Sequence, residues 1–238
     1  MAAANCDWVE IAPGFRGYYA CPEGKGPFPS VLIYIEAFGV NSHFQALAKR
    51  YAEAGFAALV PDIYDGATYG YDEVPKAVGH LKKLQDGDVM ARTRQALDFL
   101  DGRPEADGQR VGVTGYCMGG RYTFLANAEL AGRFKGAVSF YGGGIGPVKD
   151  FAGRPILLDR APDMGAPILL FYGAEDGSIA PDEVGRIAEA LAKANKGFTL
   201  TVFPKVGHGF FCDERSSYDQ AAAAASWDAT LAFFRTHL

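Results

Sequence analysis

Short apolar runs alternate along the chain with stretches in which apolar residues recur every three or four positions. The runs Val31–Glu36, Ala57–Asp62, Arg110–Thr114, Ala137–Tyr141, Ile168–Tyr172 and Phe198–Phe203 have the length of strands. Several are apolar at nearly every position, as parallel strands covered on both faces must be. Between them, segments 42–54, 85–101, 118–131, 181–195 and 219–237 carry helical spacing. Strand followed by helix, repeated, predicts an α/β fold: a mostly parallel wound sheet with right-handed crossovers and helices on both faces. The first thirty residues read differently, as an antiparallel hairpin with a Pro13-Gly14 turn at the sheet edge. No internal repeat or Ser/Gly linker interrupts the pattern. The Ala run at 221–225 lies in a helical pattern that leads to Leu231 and Phe234. A single domain over residues 1–238, with no large cap domain, is expected.

Composition narrows the function classes. With 238 residues, 49% of them apolar, the chain can bury a core that needs no disulfide or metal staple. The net charge is -5 and no stretch is rich in Lys or Arg, which argues against a nucleic-acid partner. A small anionic substrate stays compatible, because one local cation suffices for it. No apolar run approaches the roughly 20 residues needed to cross a bilayer. The N-terminus lacks a basic flank followed by a long apolar stretch, so neither a membrane partner nor a secretory signal is expected, and the cytoplasm is the expected compartment. Cys6, Cys21, Cys117 and Cys212 form no CxxC pair and show no metal-ligand spacing. Free thiols are expected in that reducing compartment, with a Cys6–Cys21 meeting across the hairpin as the alternative. The expected chain carries no metal and no cofactor, works on a small molecule, and is a monomer or homodimer.

The chemistry concentrates at Arg110–Arg121, RVGVTGYCMGGR. A buried strand runs into Gly115-Tyr116-Cys117-Met118-Gly119 and then directly into a helix, which is the nucleophile-elbow pattern with cysteine in the nucleophile position. The sharp turn strains the backbone, so small residues must flank it. The positive end of the following helix favours thiolate and oxyanion alike, and the Met118 N–H, first in that helix, is placed to stabilise a developing oxyanion. The competing account is a buried structural cysteine beside a dinucleotide loop, but GYCMGG lacks the G-x-G-x-x-G spacing and no P-loop lysine follows.

The partners follow in the order that this architecture requires: nucleophile, acid, histidine. Asp176 lies just past the strand ILLFY in Gly173-Ala174-Glu175-Asp176-Gly177, and His208 sits between glycines just past FTLTVF. Both are at carboxyl ends of strands, where ligand sites of parallel sheets collect. Alternatives stand beside each: Asp176 as a mere cap for the helix near Pro181, Glu175 as the acid, and His43 as the base. His80 and His237, in polar helical contexts, read as surface residues. Glu36 ends an otherwise apolar strand, which is costly for a carboxylate unless it is paired or functional. It could form an ion pair with an arginine such as Arg121, or hold the Cys117 proton. The loop after it normally supplies a second oxyanion N–H, here that of Ala37.

Taken together, IEAFG, GYCMGG, YGAEDGSIAP and GHGFF resemble the dienelactone hydrolase (carboxymethylenebutenolidase) family of α/β-hydrolases, in order and over nearly the whole chain. The resemblance implies the α/β-hydrolase fold and a Cys117–His208–Asp176 triad that opens a small lactone or ester through a thioacyl intermediate. It also implies that Glu36 takes the thiol proton when substrate arrives. One departure concerns the arginines that anchor a substrate carboxylate. Where one is expected after the histidine stands Cys212, with Arg215 one turn further on; for the other, Lys76 is the nearest cation. Phe38, Lys76, Arg121, Phe210 and Arg215 are the candidate substrate contacts, and Tyr64, Tyr69 and Tyr71 extend an expected aromatic lining. A broad esterase or thioesterase is the alternative within the enzyme class. Outside it stand a non-catalytic binding protein on the same fold and a redox-sensing Cys117.

Overall fold

The computed structural model describes residues 3–238, which gather into two compact units. One runs to Val113 and includes Leu238; the other spans Thr114–His237.

The first unit opens with β1 (Ala4–Ala12) and β2 (Phe15–Pro22), an antiparallel hairpin turning at Pro13-Gly14, where Gly14 takes φ +73°. Then follow β3 (Phe28–Tyr34), α1 (Ser42–Glu53), β4 (Ala57–Pro61), α2 (Val74–Leu81), α3 (Asp86–Asp101) and most of β5 (Ala106–Tyr116). Strand order is β1-β2-β4-β3-β5, with β2 antiparallel and β3 parallel to β4. Val31, Leu32, Ile33 and Leu59 are fully buried, which is why these strands read as unbroken apolar runs. Asn41 caps α1 by accepting the Phe44 N–H at 3.3 Å.

The second unit takes the end of β5 into α4 (Met118–Glu129), then β6 (Gly136–Phe140), a short 3₁₀ helix (Leu158–Asp163), β7 (Ile168–Gly173), α5 (Pro181–Lys193), β8 (Phe198–Phe203) and α6 (Gln220–His237). Strand order is β5-β6-β7-β8, with β6, β7 and β8 parallel. The eight strands thus make a mostly parallel sheet with helices between them. Every residue of α4 from Met118 to Ala128 is buried, so its sequence shows no polar stripe. The buried Asn127 amide closes a two-way bond with the Ala166 backbone, donating to its oxygen at 2.8 Å and accepting its N–H at 2.9 Å.

Two elements depart from the pattern. The strand expected to reach Glu36 ends at Tyr34, which leaves Glu36 in the loop just past β3. The two-turn α2, with Pro75 in its first turn, is too short for helical periodicity to stand out.

Candidate active site

The elbow has the strain its spelling predicts. Cys117 sits at φ 55°, ψ -118°, between β5 and α4, a conformation that costs a non-glycine residue roughly 1–3 kcal/mol. Backbone bonds hold it there: its N–H donates to Phe140 O at 3.0 Å, and its carbonyl accepts the Gly120 N–H at 2.9 Å. The glycine before the nucleophile is required by space. A Cβ on Gly115 would overlap the Gly119 carbonyl and lie 2.7 Å from Thr123 Oγ1. The Cys117 thiol is half-buried, at the head of the helix that begins with Met118.

The loop after β7 delivers Asp176. Its Oδ1 accepts the N–H groups of Ser178 (2.8 Å) and Ile179 (3.1 Å), and its Oδ2 faces His208 Nδ1 at 2.8 Å. The carboxylate side chain is 1% exposed. These bonds exclude a plain capping role, because α5 starts after Ala180 with no side-chain cap. The neighbouring Glu175 is exposed.

His208 lies past β8, between Lys205 and Gly209, both at positive φ. Its ring is held by Asp176 on one nitrogen and by a hydrogen bond with the Cys117 side chain, so the three predicted residues do come together. Burial alone would push His208 down. The electrostatic interaction with Cys117 and the Asp176 bond outweigh it and raise the imidazole to about 10. This group can hold and pass a proton between a sulfur and a leaving oxygen, with the carboxylate fixing the ring.

The expected substrate contacts fare differently. Arg121 is fully buried, and its guanidinium donates to Gly144 O (3.0 Å) and Pro155 O (2.9 Å); it ties a loop down rather than facing a ligand. Phe210 is likewise fully buried, edge-on to Tyr141 and Phe203. Phe38 is a packing residue against Tyr71, and Lys76 is an exposed partner of Glu73 at 2.6 Å. Arg215 is half-buried with its guanidinium against the Cα of Gly209, next to the histidine. Tyr64 stacks on His80 at 4.0 Å, and the Tyr69 hydroxyl bonds His80 Nδ1 at 2.8 Å, so His80 is not the plain surface residue expected. His43 is buried in α1, edge-on to Phe44. Glu36 and Ala37 are both buried just past β3. All four cysteines are free thiols.

Sequence reasoning missed Tyr141 and Glu183. Tyr141 is wholly buried at φ 37° and packs edge-on to the His208 ring, centroids 5.1 Å apart. The three glycines that follow it, 142–144, were the available signal of a close backbone approach.

Comparison with known proteins agrees with these motifs. The model of the dienelactone hydrolase family matches residues 15–238. A Methylorubrum extorquens protein provisionally named carboxymethylenebutenolidase is 34% identical over 231 residues, covering 95% of this chain and 77% of its own. A crystal structure from Klebsiella pneumoniae, of a protein provisionally named a dienelactone hydrolase, superimposes with TM-score 0.90 at 33% identity. It covers 98% of this chain and 99% of its own. An α/β hydrolase from a deep-sea metagenome shares the fold at TM-score 0.72 and 15% identity, covering 99% and 98% of the two chains. No described helix is long and apolar enough to cross a membrane.

Proposed function

Because this chain belongs to the dienelactone hydrolase family and is a hydrolase of the ester or lactone type, we propose that it cleaves its substrate through a Cys117–His208–Asp176 triad and a thioacyl intermediate. The observation that carries this is the pair of contacts on one imidazole: Asp176 Oδ2 at 2.8 Å on Nδ1, and the Cys117 side chain as its other partner.

The sulfur attacks the carbonyl carbon, and the C=O electrons move onto oxygen, where the Met118 N–H and the Ala37 N–H receive the charge. The tetrahedral adduct collapses, the C–O bond breaks, and His208 gives its proton to the leaving oxygen. In a lactone that oxygen stays on the same molecule. Water, deprotonated by His208, then attacks the thioester, and Cys117 leaves as thiolate. The net change is addition of one water across the ester bond. Asp176 fixes the tautomer and orientation of His208 throughout. The motif resemblance assigns Glu36 as the acceptor of the Cys117 proton as substrate arrives, and one family model across residues 15–238 supports reading the chain as one catalytic domain. Small lactones and esters are the substrate class, Arg215 is the guanidinium nearest the histidine in sequence for an anionic one, and the reducing cytoplasm would keep the thiols free.

The test is turnover of a dienelactone and of p-nitrophenyl acetate by wild type and Cys117→Ala. A loss of about 10⁴-fold or more in the variant is expected. A variant as active as wild type, or a wild type inert on both compounds, would overturn the assignment.

A further inference from the structure

The segment after β6 is fixed by an unusual concentration of side chains. One carboxylate oxygen, Glu183 Oε1, accepts three successive amides: Gly144 at 2.9 Å, Ile145 at 3.1 Å and Gly146 at 3.2 Å. The carbonyls are held as well. Tyr172 Oη donates to Gly142 O at 3.2 Å, Arg121 Nε to Gly144 O at 3.0 Å, and Arg186 Nε to Gly146 O at 2.8 Å. Glu183 is 4% exposed, and burying a carboxylate is costly unless its lone pairs are filled. Nothing in the proposed reaction uses it directly.

Its position in the chain says what it serves. Glu183 is in the first turn of α5, seven residues after Asp176, so the loop that carries the triad acid runs into the helix that carries this anchor. The anchored segment begins immediately after Tyr141, whose backbone is at φ 37° and whose ring lies edge-on to His208. A tyrosine in the left-handed region relaxes unless its neighbours hold it there. On the other side, the segment touches the elbow helix backbone to backbone: a Cβ on Gly142 would lie 2.8 Å from the carbonyl carbon of Gly120.

We propose that Glu183 is a positioning residue of the hydrolytic site: by gathering the amides of residues 144–146 it locks the segment that starts at Tyr141, and so holds the Tyr141 ring against His208. This rests on the hydrolase reading above. The acceptor geometry matters more than the charge, because the carboxylate meets N–H donors and no reacting atom.

The test compares Glu183→Gln, Glu183→Ala and Glu183→Asp by ester kinetics and by the His208 ring resonances. Gln keeps an oxygen at the same reach and should stay within about threefold of wild-type kcat; Ala removes the acceptor and should lower kcat by tenfold or more, with KM within about threefold. The His208 resonances should move in the Ala variant and return in the Gln variant, as loss and recovery of the adjacent ring require. Asp keeps the charge but withdraws the oxygen by one methylene, so it should behave like Ala, and it decides the matter if the Ala variant does not fold. A folded Ala or Asp variant with wild-type kcat and unmoved resonances would overturn the proposal, as would a Gln variant as impaired as Ala. A wild type inert on esters would sink the hydrolase reading instead, while the resonance comparison would still report on the anchor.

Discussion

Two glycine-to-alanine substitutions, both inside helices of the same unit, should change stability in opposite directions. Gly120 lies in α4, where an added Cβ would be 2.7 Å from Gly142 Cα and 2.7 Å from Ser139 Oγ. Carbon atoms prefer roughly 3.5–4.0 Å, so the backbone of the segment after β6 must retreat by about 1 Å. Overpacking of this kind costs about 1–3 kcal/mol, and a backbone neighbour, unable to rotate away, puts the cost at the upper end. The gain in helix propensity offsets about 1 kcal/mol of it, leaving a net loss of about 2 kcal/mol. Gly185, in α5, has nothing within 4 Å of its added Cβ, so Gly185→Ala should stabilise by about 0.5–1 kcal/mol. Urea unfolding reads both. With an m-value of about 2 kcal/mol per M, the midpoint falls by about 1 M for Gly120→Ala and rises by about 0.3 M or more for Gly185→Ala. A 1 Å displacement beside the elbow should also cost Gly120→Ala about 10²-fold in kcat/KM on p-nitrophenyl acetate, and Gly185→Ala nothing. Two variants that shift the midpoint in the same direction, or a Gly120→Ala enzyme with wild-type turnover, would refute the packing argument.

Further outcomes follow from the site and the core. His208 should titrate near 10 by NMR in wild type and clearly lower in Cys117→Ala, because the interaction with Cys117 is the main influence opposing burial. Since the folded value is raised above 6.5, its stability contribution is fully present below that pH and is lost as pH rises through about 10; Cys117→Ala should flatten the decline of the urea midpoint across that window. Asp176→Asn should leave the fold intact and lower kcat/KM by on the order of 10⁴-fold, since an amide holds the wrong imidazole tautomer; a loss under tenfold would remove Asp176 from the mechanism. Asn127→Leu should leave the Ala166 N–H and C=O unpaired and cost about 2–4 kcal/mol in urea unfolding.

The parts of this molecule that were legible in its sequence are those with a local cause. Strands buried on both faces read as apolar runs, as β7 does at Ile168–Gly173, and the part-exposed edge strand β8 also falls where predicted, at Phe198–Phe203. The elbow was legible because its turn leaves no room for a side chain at 115, where a Cβ would overlap the Gly119 carbonyl, so glycine is forced there. Asp176 and His208 were legible because each follows a strand end in the order that the architecture imposes. What stayed hidden depends on distant contacts. Arg121 and Phe210, candidate substrate contacts in the sequence, are fully buried in the fold, and nothing in their neighbours says that Gly144, Pro155 and Tyr141 will close over them. Glu183 reads as an ordinary acidic residue of a helix first turn, and only the fold brings three amides from 37 to 39 residues away onto it.

The central claim is that Cys117 carries the acyl group, and rapid-quench intact-mass analysis of wild type mixed with p-nitrophenyl acetate tests it most directly. One acetyl group per chain should appear within the first turnover, map to the peptide containing Cys117, and vanish in Cys117→Ala. An acetyl group on Cys212 or on a serine, or steady turnover with no adduct on the chain, would contradict the account.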